Sequence, residues 1–112
     1  MTPELPPLVR RTVLRLIRAF APERIAVFGS YAKSTVHQGS DVDLLVIAPA
    51  WENPSLQHRR ARQLAGDAFP PVDIVFATPE DIAEAEKAHS PFLHSILGTC
   101  VTVYDRQLND RR

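Results

Sequence analysis

Cysteine is nearly absent from this chain: Cys100 is the only one in 112 residues. An intramolecular disulfide and a cysteine-only zinc site are therefore excluded. Cys100 sits in the apolar run Cys100-Val-Thr-Val-Tyr104 and is expected to be a small buried residue rather than a reactive thiol. Net charge is absent as well, since thirteen basic residues balance thirteen acidic ones. No overall field draws the chain to nucleic acid or to a membrane surface. The clusters Arg10-Arg11, Arg59-Arg60 with Arg62, and Arg111-Arg112 read as solvated helix faces or tail. No apolar run approaches the roughly 20 residues of a membrane span. The opening Met1-Thr-Pro-Glu-Leu-Pro-Pro7 lacks the basic-then-apolar order of a signal peptide, so a soluble, cytoplasmic protein is expected. His37, His58, His89 and His94 show no His-x-x-x-His spacing and are expected in surface or capping roles. Internal repeats and low-complexity segments are missing too.

What is present is enough apolar residue, 45% of the chain, for one core and one domain, and too little length for a second substrate-binding domain. That domain is expected to span residues 1–105, with 106–112 as a loose tail. Pro6 and Pro7 suit a helix start, because their missing N–H groups would have no partner there. Val9, Val13, Leu16, Ile17 and Phe20 follow helical spacing with the arginines off the stripe, and Ala21-Pro22-Glu23 ends the helix. Arg24–Phe28 is a short apolar strand stopped by Gly29, and Val42–Ile47 a second one stopped by Pro49. Residues 54–69 form a helix with Ala61, Leu64, Ala65 and Ala68 inward. Val72–Phe76 is a third strand. Thr78-Pro-Glu-Asp81 opens a helix to about Lys87. Ser90-Pro91 opens another that Gly98 stops, and residues 99–104 form the last strand. Alternating helices and strands with helical crossovers predict an α/β (α+β) domain, with helices packed on a small mixed sheet.

The residues able to do chemistry crowd into Phe28-Gly-Ser-Tyr-Ala-Lys33 and Ser40-Asp-Val-Asp43. Asp41 and Asp43, two apart at a strand start, project from the same face with Cα atoms roughly 6.6 Å apart. Asp73 interrupts the third strand; if the two strands are neighbours at about 4.8 Å, three carboxylates gather at one spot. Each pair at about 4 Å repels by about 4 kcal/mol at an effective dielectric near 20, so a cation is implied. Oxygen-only ligands suit Mg²⁺, with Mn²⁺ as the alternative. Two such ions about 3.5–4 Å apart form a clamp for in-line displacement at phosphorus. Asp-x-Asp alone is a weak signal, equally that of turn-capping and solvated acids; an acid inside an apolar strand strengthens it. A strand ending in Gly29 lets backbone approach a ligand, and the following amides with the Ser30 hydroxyl and Lys33 suit phosphate oxygens. Trp51, in the Pro49–Pro54 loop, reads first as a loop anchor, with stacking on a nucleotide base or filling of a partner pocket as alternatives. Tyr31 is a site wall or simple packing, and Tyr104 a structural residue at a strand end.

Gly29-Ser-Tyr-Ala-Lys33, Ser40-Asp-Val-Asp-Leu-Leu-Val46 and Val72-Asp-Ile-Val75 together resemble the small nucleotidyltransferases of the DNA polymerase β superfamily. Within them the chain is most similar to the minimal nucleotidyltransferases (MNT proteins), antitoxins of HEPN/MNT toxin–antitoxin pairs, over nearly its whole length. The resemblance implies a single-domain nucleotidyltransferase fold that binds Mg²⁺, usually as two ions, and ATP. It implies that Gly29 and Ser30 hold the triphosphate with Lys33 nearby, that Asp41 and Asp43 bind metal, and that Asp73 completes the metal site and helps activate an acceptor hydroxyl. The implied reaction transfers a nucleoside monophosphate, usually AMP, to a tyrosine of a HEPN-domain toxin and releases pyrophosphate. The family commonly has Arg-Gly where this chain has Lys33-Ser34, which keeps a charge but loses bidentate phosphate contact and glycine's backbone freedom. That departure motivates an alternative, a non-catalytic antitoxin that neutralises its partner by complex formation. Transfer to a small molecule such as an aminoglycoside is disfavoured because relatives that do this carry an additional domain. Stable nucleic-acid binding is not expected at zero net charge.

Overall fold

Pro6 and Pro7 begin the first helix in the computed structural model, which describes residues 5–29, 41–68, 70–87 and 91–107, without the side chains of Phe92 and His94. Helix α1 (Pro7–Phe20) buries Val9, Thr12, Val13, Leu16 and Phe20 along one stripe. It ends where Ala21 turns left-handed (φ 45°) and donates its N–H to the Ile17 carbonyl at 3.1 Å, with Pro22 unable to continue the ladder. The arginine face is only partly solvated. Arg15 donates to the Leu64 carbonyl (3.2 Å) and to Asp67 Oδ1 (2.8 Å), tying α1 to the turn after the next helix. That hydrogen bond holds the exposed Asp67 carboxyl below its ordinary pKa against an opposing effect of burial, with the charges of Arg15 and Arg11 adding to it.

The remaining elements are β1 (Arg24–Phe28), β2 (Val42–Ile47), α2 (Pro54–Leu64), β3 (Val72–Ala77), α3 (Pro79–Glu86), α4 (Pro91–Thr99) and β4 (Val101–Asp105). The strands form one mixed sheet in the order β3-β2-β1-β4, with β1 antiparallel to both β2 and β4, and β2 parallel to β3. Alternation divides the strand residues between two cores. Val42, Leu44, Val46, Ile74, Ile25 and Val27 pack with α1 and with Ala61 of α2; Leu45, Ile47, Ala77 and Val75 pack with Ile82 of α3 and Ile96 of α4. The expected α+β architecture with a small mixed sheet is what the chain forms.

Some boundaries and interior positions differ from expectation. Helix α2 stops at Leu64, because Ala65 leaves helical geometry (φ −94°, ψ 1°) and Gly66 follows. Its buried positions are Ala61 and Gln57, the latter a polar residue outside the expected alanine stripe. Gln57 donates from Nε2 to the Pro49 carbonyl (3.1 Å), and its Oε1 accepts from the Trp51 N–H (3.3 Å). Trp51 packs half-buried on Phe20 with ring centroids 5.1 Å apart, so in this structure it anchors its loop. Gly98 lies inside α4 rather than ending it; Thr99 Oγ1 donates back to the Ser95 carbonyl (3.2 Å) and the Cys100 N–H closes the last turn on Ile96 (2.8 Å). The Thr78–Asp81 capping box at the start of α3 is present as expected. Cys100 is half-buried, its Sγ accepting from Arg24 Nη2 at 3.3 Å. Beyond β4 the backbone is held through Gln107: the Arg106 N–H donates to the Glu23 carbonyl (2.9 Å), and the Gln107 N–H to Asp105 Oδ1 (3.0 Å).

Replacing Gln57 by leucine leaves the Pro49 carbonyl and the Trp51 N–H without their side-chain partners. We expect Gln57→Leu to destabilise the fold by about 1–3 kcal/mol in urea titration with an unchanged slope.

Candidate functional site

The three aspartates singled out from the sequence come together at one end of the sheet, where β1 ends and β2 and β3 begin. Parallel pairing of β2 with β3 sets Asp43 directly opposite Asp73. Antiparallel pairing on the other side sets Phe28 opposite Asp43, which brings the Gly29 turn beside that carboxylate. Alternation places Asp43 and Asp73 on the face shared by Leu45 and Val75, the side covered by α3 and α4. Asp41 lies just before β2, two residues from Asp43, and is exposed; Asp43 is half-buried and Asp73 exposed.

Gly29 has φ +72°, a conformation that L side chains rarely adopt. A Cβ built there would collide with Asp43 Oδ2, so the carboxylate rests in the space a side chain would take. Glycine is thus required twice, by the turn and by the packing of the acid against it. Ser30 and Lys33, the other residues assigned to phosphate by resemblance, lie outside the described residues, as do Tyr31, Ser34, His37 and His89.

The electrostatics follow from this crowding. Burial raises the Asp43 pKa above its ordinary value, and the charges of Asp73 and then Asp41 raise it further. Each contribution disfavours a second and third negative charge at the site. Among the described residues no group of three His, Cys, Asp or Glu side chains is already drawn into a metal-holding cluster. The donor set nevertheless suits a hard divalent cation: it is all oxygen, and it carries like charge that such an ion would offset. The strand register holds the backbone positions, and side-chain rotation is the remaining freedom.

The sequence pattern marks Asp73 as an acid that breaks an apolar strand for no packing benefit. β3 is in fact an edge strand and Asp73 is exposed, so a solvated acid costs little there. What distinguishes Asp73 is its register with Asp43. His58 and Arg62, expected on a solvated helix face and exposed there, stand one helical turn apart on α2 and line a cleft of about 280 Å³ with Val72, Asp73 and Ile74. Their i, i+4 spacing was the available signal.

A glycine turn packed against clustered carboxylates, at the end of a mixed sheet layered with helices, defines a candidate phosphoryl-transfer site. The family model described as "Nucleotidyltransferase domain" matches residues 9–107, and the chain belongs to that family. Among solved structures, the chain is similar to one described as "Crystal structure of the toxin-antitoxin with AMP-PNP", with 25% identity and a TM-score of 0.57. The alignment covers 89% of this chain and 76% of the other. No curated protein matches.

Two outcomes test the geometry. Gly29→Ala forces a side chain into left-handed backbone and into the Asp43 carboxylate; it should destabilise the fold by about 1–2 kcal/mol from the backbone conformation alone, measured by chemical denaturation. Asp43→Asn should raise the melting temperature at pH 7. With a raised native pKa, the native state binds more protons than the unfolded chain in the window above 3.8, so wild-type stability falls as pH rises through that window. The advantage of Asp43→Asn should therefore shrink as pH is lowered toward 3.8, and an advantage constant with pH contradicts the assignment.

Proposed function

We propose that the chain is a Mg²⁺-dependent nucleotidyltransferase that acts as an antitoxin, transferring AMP from ATP to a tyrosine hydroxyl of a HEPN-domain toxin in the cytoplasm. The observation that carries the reading is the pairing of Asp43 with Asp73 beside Gly29. Family membership over residues 9–107 supports nucleotidyl transfer, and the toxin–antitoxin relative with AMP-PNP supports both an adenine nucleotide and the toxin context. In this reading the acceptor hydroxyl belongs to the toxin chain.

In this reading Asp41 and Asp43 hold the divalent cation, one ion or two, with Asp73 completing the set; Mn²⁺ would serve as well. When bound, the cation supplies charge neutralisation at the reacting phosphate. Gly29, Ser30 and Lys33 hold the triphosphate, the glycine by letting backbone approach the phosphate oxygens. Asp73, exposed on the edge strand, takes the proton from the acceptor hydroxyl in this reading. The acceptor oxygen bonds to the α-phosphorus as the bond to the bridging oxygen breaks, and pyrophosphate leaves.

The second reading, neutralisation by binding alone, draws on the exposed arginines of α1 and α2 and on Lys33-Ser34 in place of Arg-Gly. Co-expression with the toxin followed by intact-mass measurement separates the two. Transfer predicts added AMP units on the toxin, and loss of at least about 10²-fold in labelling rate for Asp41→Ala/Asp43→Ala. Unmodified toxin that the double variant still neutralises would establish the binding reading instead.

A further inference from the structure

We propose that the outer edge of β3, with the cleft between it and α2, docks the acceptor-bearing segment, and that this segment is an extended acidic stretch of the partner protein. The inference rests on the transfer reaction above and adds to it the chemistry of the acceptor. Three features carry it. β3 ends the sheet, so among the described residues no strand pairs with its outer side, and its outward N–H and C=O groups can take an added strand. The carboxylate nearest that edge is Asp73, which is exposed. The cleft of about 280 Å³ alongside is lined by His58 and Arg62 as well as by Asp73 and its two neighbours.

Strand alternation then dictates which partner residue meets which group. Asp73 lies on the α3/α4 face, whereas Val72, Ile74 and α2 lie on the other. A strand added along β3 with the acceptor tyrosine on the Asp73 face turns its two flanking residues toward α2. There they meet His58, which stacks edge-on against Phe76 at 6.3 Å, and Arg62; both are exposed. Among the described residues neither forms an ion pair. Helix α2 carries Arg59 and Arg60 besides and has no acid in its sequence, so the side that receives the flanking residues is cationic. Acidic flanks fit it and basic flanks do not.

The test uses two nine-residue peptides centred on tyrosine, with glutamate or lysine on both sides of it, and the full chain. By fluorescence anisotropy at low salt, the glutamate-flanked peptide should bind about tenfold tighter than the lysine-flanked one. His58→Glu/Arg62→Glu should reverse that order while leaving the KM for ATP unchanged. N-methylation of alternate backbone amides in the glutamate-flanked peptide should abolish its binding. Equal binding of the two peptides, or a double variant that changes the KM for ATP rather than peptide affinity, overturns the proposal, because Arg62 would then serve the nucleotide. Labelling from ATP and Mg²⁺ is scored separately. Preferential binding with neither peptide labelled upholds the dock and counts against transfer to tyrosine. Labelling without preference upholds transfer and removes the dock.

Discussion

The pairing of β2 with β3 in one particular register is the constraint on which this structure turns. It sets two carboxylates opposite each other, which is unfavourable, and the rest of the sheet has to hold them there. A slip of one residue would send Asp73 to the α2 side and Ile74 to the α3/α4 side. The slip is prevented by what surrounds the acids. Val42, Leu44, Leu45 and Val46 are wholly buried, and each such side chain contributes about 1.5–3 kcal/mol. Like-charge repulsion of a carboxylate pair at a 4 Å approach is about 4 kcal/mol at an effective dielectric near 20. The strand core outweighs the repulsion, and backbone bonds from Val42 to Pro71 and from Ala48 to Ala77 close both ends of the register.

The two ends of the sheet have different duties. At the end where β1 stops, the glycine turn, Asp43 and Asp73 meet, and a collision with any Cβ at Gly29 reserves the space for the carboxylate. At the opposite end the chain fastens itself. The Glu23 N–H donates to the Ile47 carbonyl, its own carbonyl accepts from Arg106, and Arg106 Nη1 reaches the Ala21 carbonyl at 3.4 Å. The groups able to do chemistry thus stand away from the contacts that join β4 to the end of α1, so a change at the carboxylates disturbs the closing contacts little.

Much of this was legible in the residues. Periodicity and proline positions gave the elements in order, and Thr78-Pro-Glu-Asp81 announced its own capping box. Local rules reached less far where two local signals competed: Gly98 has open space where a Cβ would stand and is carried through within α4, while Gly66 follows a helix that ended earlier than its alanines suggested. Asp41 and Asp43 could be placed on one face by counting alone. The pairing of Asp43 with Asp73 could not, because strand order is decided by contacts between residues thirty apart. The partners of Gln57 and His58 were not legible for a related reason: a helical wheel shows which face a residue occupies, but not that a loop carbonyl or a strand edge waits opposite it.

Zero net charge also concealed a separation that only the fold displays. Arg10, Arg11, Arg15 and Arg18 of α1 and Arg59, Arg60 and Arg62 of α2 lie on one side of the sheet. Glu80, Asp81, Glu84 and Glu86 of α3 lie on the other, the side that also holds Asp43 and Asp73. An acidic partner is therefore attracted to one layer and repelled by the layer beside the carboxylates. The sheet itself stands between the layers except at its edges. Of those edges, β3 is the one that carries a site aspartate, since β4 lies beyond β1 on the far side. A segment held by the arginine layer reaches the paired carboxylates by crossing β3, so the charge separation and the strand order lead to the same place on the molecule.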